Sequence, residues 1–150
     1  MVGLDILNDT DINEWQSEHD LLVIGFGAAG ACAAIEAAQK GKTVLALERG
    51  SGIGGTTSLA TGHFYLGGGT RVQLANGIDD NADEMFNYLM ANTPDPDAEK
   101  IRAYAEDSVS HFNWLVEQGV PFNDGFYRKK HYEQPTDECL IWSGNEKAWP

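Results

Sequence analysis

Asp20 to Glu48 reads DLLVIGFGAAGACAAIEAAQKGKTVLALE, and this stretch decides the fold. The apolar run Leu21 to Ile24 suits a strand buried on both faces of a parallel sheet. Gly25, Gly27 and Gly30 follow at the spacing G-x-G-x-x-G. A small-residue helix comes next, closed by Gly41, and a second apolar strand, Thr43 to Leu47, ends on Glu48. The spacing predicts a complete β-α-β unit.

Each residue type meets a demand of a dinucleotide site. Gly25 allows a sharp turn out of the strand, and Gly27 leaves backbone open where a pyrophosphate must touch it. Gly30 lets the helix pack close to the strand, and Ala33 and Ala34 keep the same face slim. The first helical turn, including Ala28 and Ala29, directs unpaired N–H groups and the positive end of the helix dipole at the phosphates. Glu48 lies 23 residues past Gly25, where a carboxylate can accept hydrogen bonds from ribose hydroxyls. An acid there argues against a 2'-phosphate and so against NADP. A G-x-G-x-x-G alone would be weak; the strand, helix and distal acid in the required order supply its specificity.

The 150 residues allow one domain of ordinary size, and 42% apolar with 22% charged residues is a soluble, globular composition. Ten Lys and Arg against 23 Asp and Glu give a net charge of -13. Such a surface repels phosphate backbones, so nucleic acid is not an expected partner. No apolar stretch is long enough to span a bilayer, and the N-terminus carries acids where a secretory signal would be basic; the expectation is a cytoplasmic protein. Cys32 and Cys139 form no spaced pair, and His19, His63, His111 and His131 show no metal-ligand spacing, so no metal site is expected. Residues 1–19 read as an N-terminal arm, with Leu4, Ile6, Leu7, Ile12 and Trp15 able to dock on a surface.

Beyond Glu48 stand Arg49 and then Gly54, Gly55, Thr56, Thr57 and Ser58. Backbone at the glycine pair can approach a ligand closely, and the three hydroxyls can bond to phosphate or ring heteroatoms. Gly62 and the run Gly67-Gly68-Gly69 follow. Three consecutive glycines lose roughly 0.5–1 kcal/mol each in backbone entropy relative to alanine, which suggests something flat or bulky against that backbone.

These motifs, DLLVIGFGAAG…LALERG, GGTTSLATGHFYLGGGT and the later NWLVEQGVPF, resemble the N-terminal part of the FAD-dependent fumarate reductase/succinate dehydrogenase flavoprotein family. The YLGGGT stretch is most similar to the 3-ketosteroid dehydrogenase branch. The resemblance covers residues 20 to about 122. It implies an α/β, Rossmann-like FAD/NAD(P)-binding fold with a parallel sheet, incomplete in this chain, leading into the start of an α+β substrate domain. The implied division is an arm at 1–19, the N-terminal part of an FAD-binding domain at 20–120 and the start of a substrate-binding domain at 121–150.

The resemblance further implies FAD, with its adenosine ribose on Glu48, Arg49 nearby, and its pyrophosphate over Gly25 to Gly30. Gly54 and Gly55 with Thr56, Thr57 and Ser58 match pyrophosphate and flavin contacts, and Gly62 and Gly67 to Gly69 match backbone near the isoalloxazine ring. Thr56 and Thr57 stand where the membrane-bound branch carries a histidine that holds FAD covalently, so non-covalent FAD is expected. The implied chemistry moves hydrogen across a carbon–carbon bond next to a carbonyl, one carbon exchanging a hydride with the flavin while a protein group handles the proton. A steroid and fumarate are both substrates that the family allows. No catalytic residue is assigned, since Tyr127 and Tyr132 match no family position.

Asp79 to Asn92 reads as a helix capped by Asp79 or Asp80, with Met85, Phe86, Leu89 and Met90 as its apolar side. Asp95 and Pro96 read as N-cap and first residue of the next helix, whose stripe Ile101, Tyr104, Ala105, Ser108, Phe112, Leu115 and Val116 runs to a stop at Gly119. Arg128, Lys129, Lys130 and His131, interleaved with Tyr127 and Tyr132, form the one basic cluster; a solvated strand end is its plainest reading. The family's proteins are several times longer, so the chain is expected to be an N-terminal portion of a flavoenzyme, with a non-catalytic nucleotide-binding fragment as the alternative.

Overall fold

Strand β1 (Leu21–Ile24) pairs in parallel with β2 (Val44–Leu47), with Leu21 opposite Val44 and Ile24 opposite Leu47. Helix α1 (Ala28–Gln39) makes the crossover that a parallel pair requires. The computed structural model describes residues 12, 14–60, 63–128, 136 and 138–140, in two compact units that divide between His63 and Phe64.

In the first unit α1 lies on the face of the sheet that carries Val23. A β-carbon on Gly30 would collide with the Gly25 carbonyl and stand 3.0 Å from Val23 Cγ1, so only glycine allows this approach. The opposite face departs from the expectation of a strand buried on both sides. Val23 is buried, but Leu22 is 52% and Ile24 82% exposed, with Leu47 exposed beside them. Alternate side chains of a strand point to opposite faces, and among the described residues of the first unit only one face of this pair has a helix on it.

Asp20 fastens the entry to the sheet. Its Oδ2 accepts from the Thr43 N–H at 2.9 Å and the Thr43 hydroxyl at 2.8 Å, and Lys42 Nζ lies 3.3 Å from Oδ1.

The second unit is helical: α2 (Arg71–Ala75), α3 (Ala82–Asn92) and α4 (Ala98–Glu117), followed by the short parallel pair β3 (Phe126–Tyr127) and β4 (Cys139–Leu140). Val72, Met85, Ala105, Phe112, Leu115 and Phe126 form its buried apolar set; Met85, Ala105, Phe112 and Leu115 belong to the helical stripes read from the sequence, and Val72 and Phe126 do not. The helix starts differ from expectation. Asn81, rather than Asp79 or Asp80, caps α3 through Oδ1 and the Glu84 N–H, because Asp80 is turned to the preceding loop. Asp97, rather than Asp95, caps α4 through Oδ1 and the Lys100 N–H, while Asp95 sits at φ +51°. Helix α2 was not anticipated. Its capping box joins Thr70 and Gln73, the Thr-x-x-Gln pattern that signals a helix start.

Helices α1, α2 and α4 end alike. Gly41, Gly77 and Gly119 adopt positive φ, and the pairs Gly41→Ala38 with Lys42→Ala37, Gly77→Leu74 with Ile78→Gln73, and Gly119→Val116 with Val120→Leu115 close the last turns. These are Schellman motifs, which satisfy carbonyls that a helix end leaves unpaired. The segment after α4 packs on its own unit. The Phe122 ring lies tilted at 45° to that of Phe112 with centroids 4.7 Å apart, and Arg71 binds Asp124 Oδ1 and the Phe122 carbonyl.

Candidate functional site

The turn out of β1 is built on Gly25, whose φ of +89° is open to glycine and strained for other residues. The next residue, Phe26, is the junction of the first unit. Its N–H donates to Glu48 Oε2 at 2.9 Å, and its carbonyl accepts from the Gly54 N–H at 2.9 Å. The other Glu48 oxygen, Oε1, accepts from the Gly50 N–H at 2.7 Å. One carboxylate thus joins the glycine turn to the loop beyond β2. The Gly50 N–H, then the Phe26 N–H, and the nearby Arg49 guanidinium among lesser causes hold this carboxyl below its ordinary value, so it is anionic at neutral pH.

Gly27 is the N-cap of α1 and has no side chain to cap with. The Ala28 N–H instead donates to Thr57 Oγ1 at 3.1 Å, from a 3₁₀ turn over Gly55–Leu59. No acceptor from the N-cap reaches the Ala29 and Gly30 N–H groups, and no acid stands in the first turn. Helices α3 and α4 do carry acids there, Asp83 with Glu84 and Glu99. The start of α1 is therefore electropositive and open, the condition for taking a phosphate. A β-carbon on Gly27 would stand 3.5 Å from Thr57 Oγ1 and 3.7 Å from the Gly54 carbonyl, so any longer side chain would fill the gap between helix and loop. These residues fit a dinucleotide cofactor.

Glu48, Gly54, Thr57 and Ala28 are thus tied to the glycine turn by hydrogen bonds through Phe26 and the α1 N-terminus, and Gly30 meets Gly25 by packing, with Gly27 and Ala29 between them in the chain. Arg49 adjoins Glu48, and Gly55 and Thr56 begin the 3₁₀ turn. Ser58 is used inside that turn, where its hydroxyl donates to the Gly55 carbonyl at 2.8 Å. Gly62 lies outside the described residues, as do Lys129, Lys130, His131 and Tyr132.

Gly67, Gly68 and Gly69 belong to the second unit, where their amides are bound internally. Gly67 donates to Ser108 Oγ at 2.9 Å, Gly68 to Asp80 Oδ2 at 2.8 Å and Gly69 to Gln73 Oε1 at 3.0 Å. A β-carbon on Gly69 would lie 3.1 Å from the Asp80 carbonyl. The positive φ of Gly68 and Gly69 and the close packing of Gly69 give a reason for glycine at these two positions that lies within the unit itself. Sequence reasoning missed Phe26, Gly50, Asp80, Gln73 and Ser108. Phe26 and Gly50 act through backbone alone, which no side-chain pattern signals; the one legible sign was Thr70-x-x-Gln73.

Residues 20–138 match the model of the FAD binding domain. The chain belongs to the FAD binding domain family. Its cofactor is FAD. The chain is 50% identical to 3-ketosteroid-delta4-(5alpha)-dehydrogenase from Rhodococcus jostii RHA1, whose crystal structure is a complex with 4-androstene-3,17-dione. That match has a TM-score of 0.85 and covers 95% of this chain and 30% of the other. It is 35% identical to 3-oxo-5-alpha-steroid 4-dehydrogenase of Comamonas testosteroni over 93% of this chain and 26% of that protein. A flavocytochrome c3 fumarate reductase in its open conformation matches at 25% identity and a TM-score of 0.64, covering 75% of this chain and 20% of the other. The chain therefore spans under a third of the length of these relatives. Among the described residues of this FAD-binding chain, no helix is long and apolar enough to cross a membrane.

Proposed function

We propose that this chain is the FAD-binding N-terminal portion of an oxidoreductase that removes or adds hydrogen across a carbon–carbon bond next to a carbonyl, with a 3-ketosteroid as the substrate class. The observation that carries this reading is the 50% identity, over 95% of the chain, to a ketosteroid dehydrogenase holding a steroid. A fumarate reductase-like activity is the second reading, supported by the more distant flavocytochrome match.

The residues have distinct parts in this reading. The α1 N-terminus at Gly27 to Gly30 takes the pyrophosphate, and Glu48, anionic and already oriented by Phe26 and Gly50, accepts from the adenosine ribose, with Arg49 beside it. Thr57 accepts the Ala28 N–H, which leaves its own hydroxyl proton to donate to a phosphate oxygen; Gly54, Gly55, Thr56 and Ser58 shape that loop. Gly62 and Gly67 to Gly69 are assigned to the flavin ring on the family resemblance. FAD, when bound, supplies the hydride chemistry. We assign residues 20–120 to the FAD-binding part and 121–150 to the start of the substrate part, place the protein in the cytoplasm, and take the flavin as non-covalent, since Thr56 and Thr57 occupy the region of a covalent histidine.

The visible absorption spectrum of the purified chain, before and after adding FAD and removing the excess, tests this. The expected result is a bound flavin that acid precipitation releases from the protein. A chain that retains no flavin, and shows no binding of ADP in a titration, would sink the assignment.

A further inference from the structure

The segment Leu66 to Thr70 is held by side chains from three separate places in the second unit. Ser108, on α4 and 1% exposed, accepts the Gly67 N–H. Gln73, on α2, accepts the Gly69 and Thr70 N–H groups through Oε1 at 3.0 and 2.9 Å. Asp80, ahead of α3, accepts the Gly68 N–H and, at 2.6 Å, Gln73 Nε2, both on Oδ2. Four successive amides thus face three polar side chains. No peptide bond among the described residues is cis, so each carbonyl preceding one of these amides points the opposite way. The carbonyls of Leu66, Gly67, Gly68 and Gly69 have no donor among the described residues.

Asp80 is the centre of this arrangement. An amide side chain such as Gln73 can present oxygen or nitrogen to the same neighbour. The Asp80 carboxylate, accepting from Nε2, selects the orientation in which Oε1 meets the loop. Gly68 and Gly69, at φ +78° and +103°, have wide alternative freedom once that restraint is lost.

We propose that Asp80, acting with Gln73, is a positioning residue that holds the Gly67–Gly69 backbone in the one conformation competent for the flavin ring; this rests on the FAD reading above. Asp80 touches no ligand in this role. Its effect is on the fraction of molecules whose loop is ready, because affinity falls in proportion to that fraction.

The experiment compares FAD and ADP titrations of the whole chain in wild type, Asp80→Ala, Asp80→Asn and Ser108→Ala, with far-ultraviolet circular dichroism to check the fold. ADP lacks the ring and reports the rest of the cofactor site. Asp80→Ala should weaken FAD roughly tenfold and shift the visible flavin band, with ADP affinity unchanged. Asp80→Asn keeps a carbonyl acceptor for Gly68 and Gln73 and should recover part of the loss. Ser108→Ala removes one of the four restraints and should weaken FAD less than Asp80→Ala does. Unchanged FAD affinity in Asp80→Ala overturns the proposal, as does an equal loss for both ligands, which would mean a merely structural role. If the wild type binds ADP but Asp80→Ala leaves the flavin band unmoved, the proposal fails and the FAD reading stands. If the wild type binds neither ligand, the FAD reading fails first.

Discussion

The Phe26 backbone N–H donates to Glu48 Oε2 across 2.9 Å, so the residue between the first two motif glycines is held by the acid at the tip of the second strand. Glu48 orients the turn, and in the proposed reading it also meets the ribose. Glu48→Ala should weaken ADP and FAD alike by roughly tenfold or more. Glu48→Gln should fall between, since its single carbonyl oxygen can serve only one of the two amides. Calorimetric titration with ADP decides the matter, and an unchanged affinity in Glu48→Ala would remove Glu48 from the site.

Acid should loosen the first unit through two carboxylates. Asp20 is held below its ordinary value of 3.8 by the Thr43 N–H first, then the Thr43 hydroxyl and Lys42. Glu48 is held below 4.5 by the Gly50 and Phe26 amides. A depressed folded pKa means that the unfolded chain binds the proton more readily. The stabilisation is complete above pH 4.5 and is lost as pH falls through the lower folded values. Urea unfolding between pH 7 and pH 3, on the order of the range these groups span, should show this slope in wild type. The double variant Asp20→Asn, Glu48→Gln should show a shallower one; an unchanged slope would mean that other carboxylates govern acid unfolding.

Gly30 and Gly25 should differ sharply in their tolerance of alanine. At Gly30 a β-carbon meets the Gly25 carbonyl and Val23, so α1 must move off the sheet, with a loss of about 3 kcal/mol or more from overpacking against backbone. At Gly25 nothing lies within 4 Å of the added carbon, and the loss is the left-handed strain alone, roughly 1–2 kcal/mol. Chemical denaturation of both variants gives the order directly. Equal destabilisation would mean that helix and strand are not as close as described.

The first unit was legible because its demands fall on residue type at fixed spacing. Gly25 needs positive φ, Gly30 needs contact with the strand and Glu48 must end β2, so each left a mark in the sequence. The reading of β1 as buried on both faces came from its apolar run, which reports what a strand can bury and not what covers it; Leu22 and Ile24 are apolar and exposed. The helix starts were misread because Asp79, Asp80, Asn81, Asp95 and Asp97 are all competent caps. Asp80 is drawn to the Gly68 amide, a contact that no local pattern shows. The glycine triplet was read as room for a ligand, and the structure adds a second reason for it in the packing of Gly69 against the Asp80 backbone.

Tyr65 should ionise above the ordinary range of a tyrosine. Tyr65 keeps 44% of its surface exposed; partial burial first, then the proximity of Tyr88, Tyr104 and Asp80, pushes its phenol from 10.0 up to about 12, and partial burial also raises Tyr104, whose hydroxyl donates to the Tyr65 carbonyl. The folded state keeps a proton that the unfolded state releases, so stability is full below pH 10 and declines as pH rises toward 12. A spectrophotometric titration of tyrosinate should contain a step near pH 12 that Tyr65→Phe removes. The same variant should flatten the alkaline fall in unfolding free energy. If Tyr65→Phe instead removes a step near pH 10, the phenol is solvated, and the packing of Tyr65 against Tyr88 and Tyr104 is looser than the structure describes.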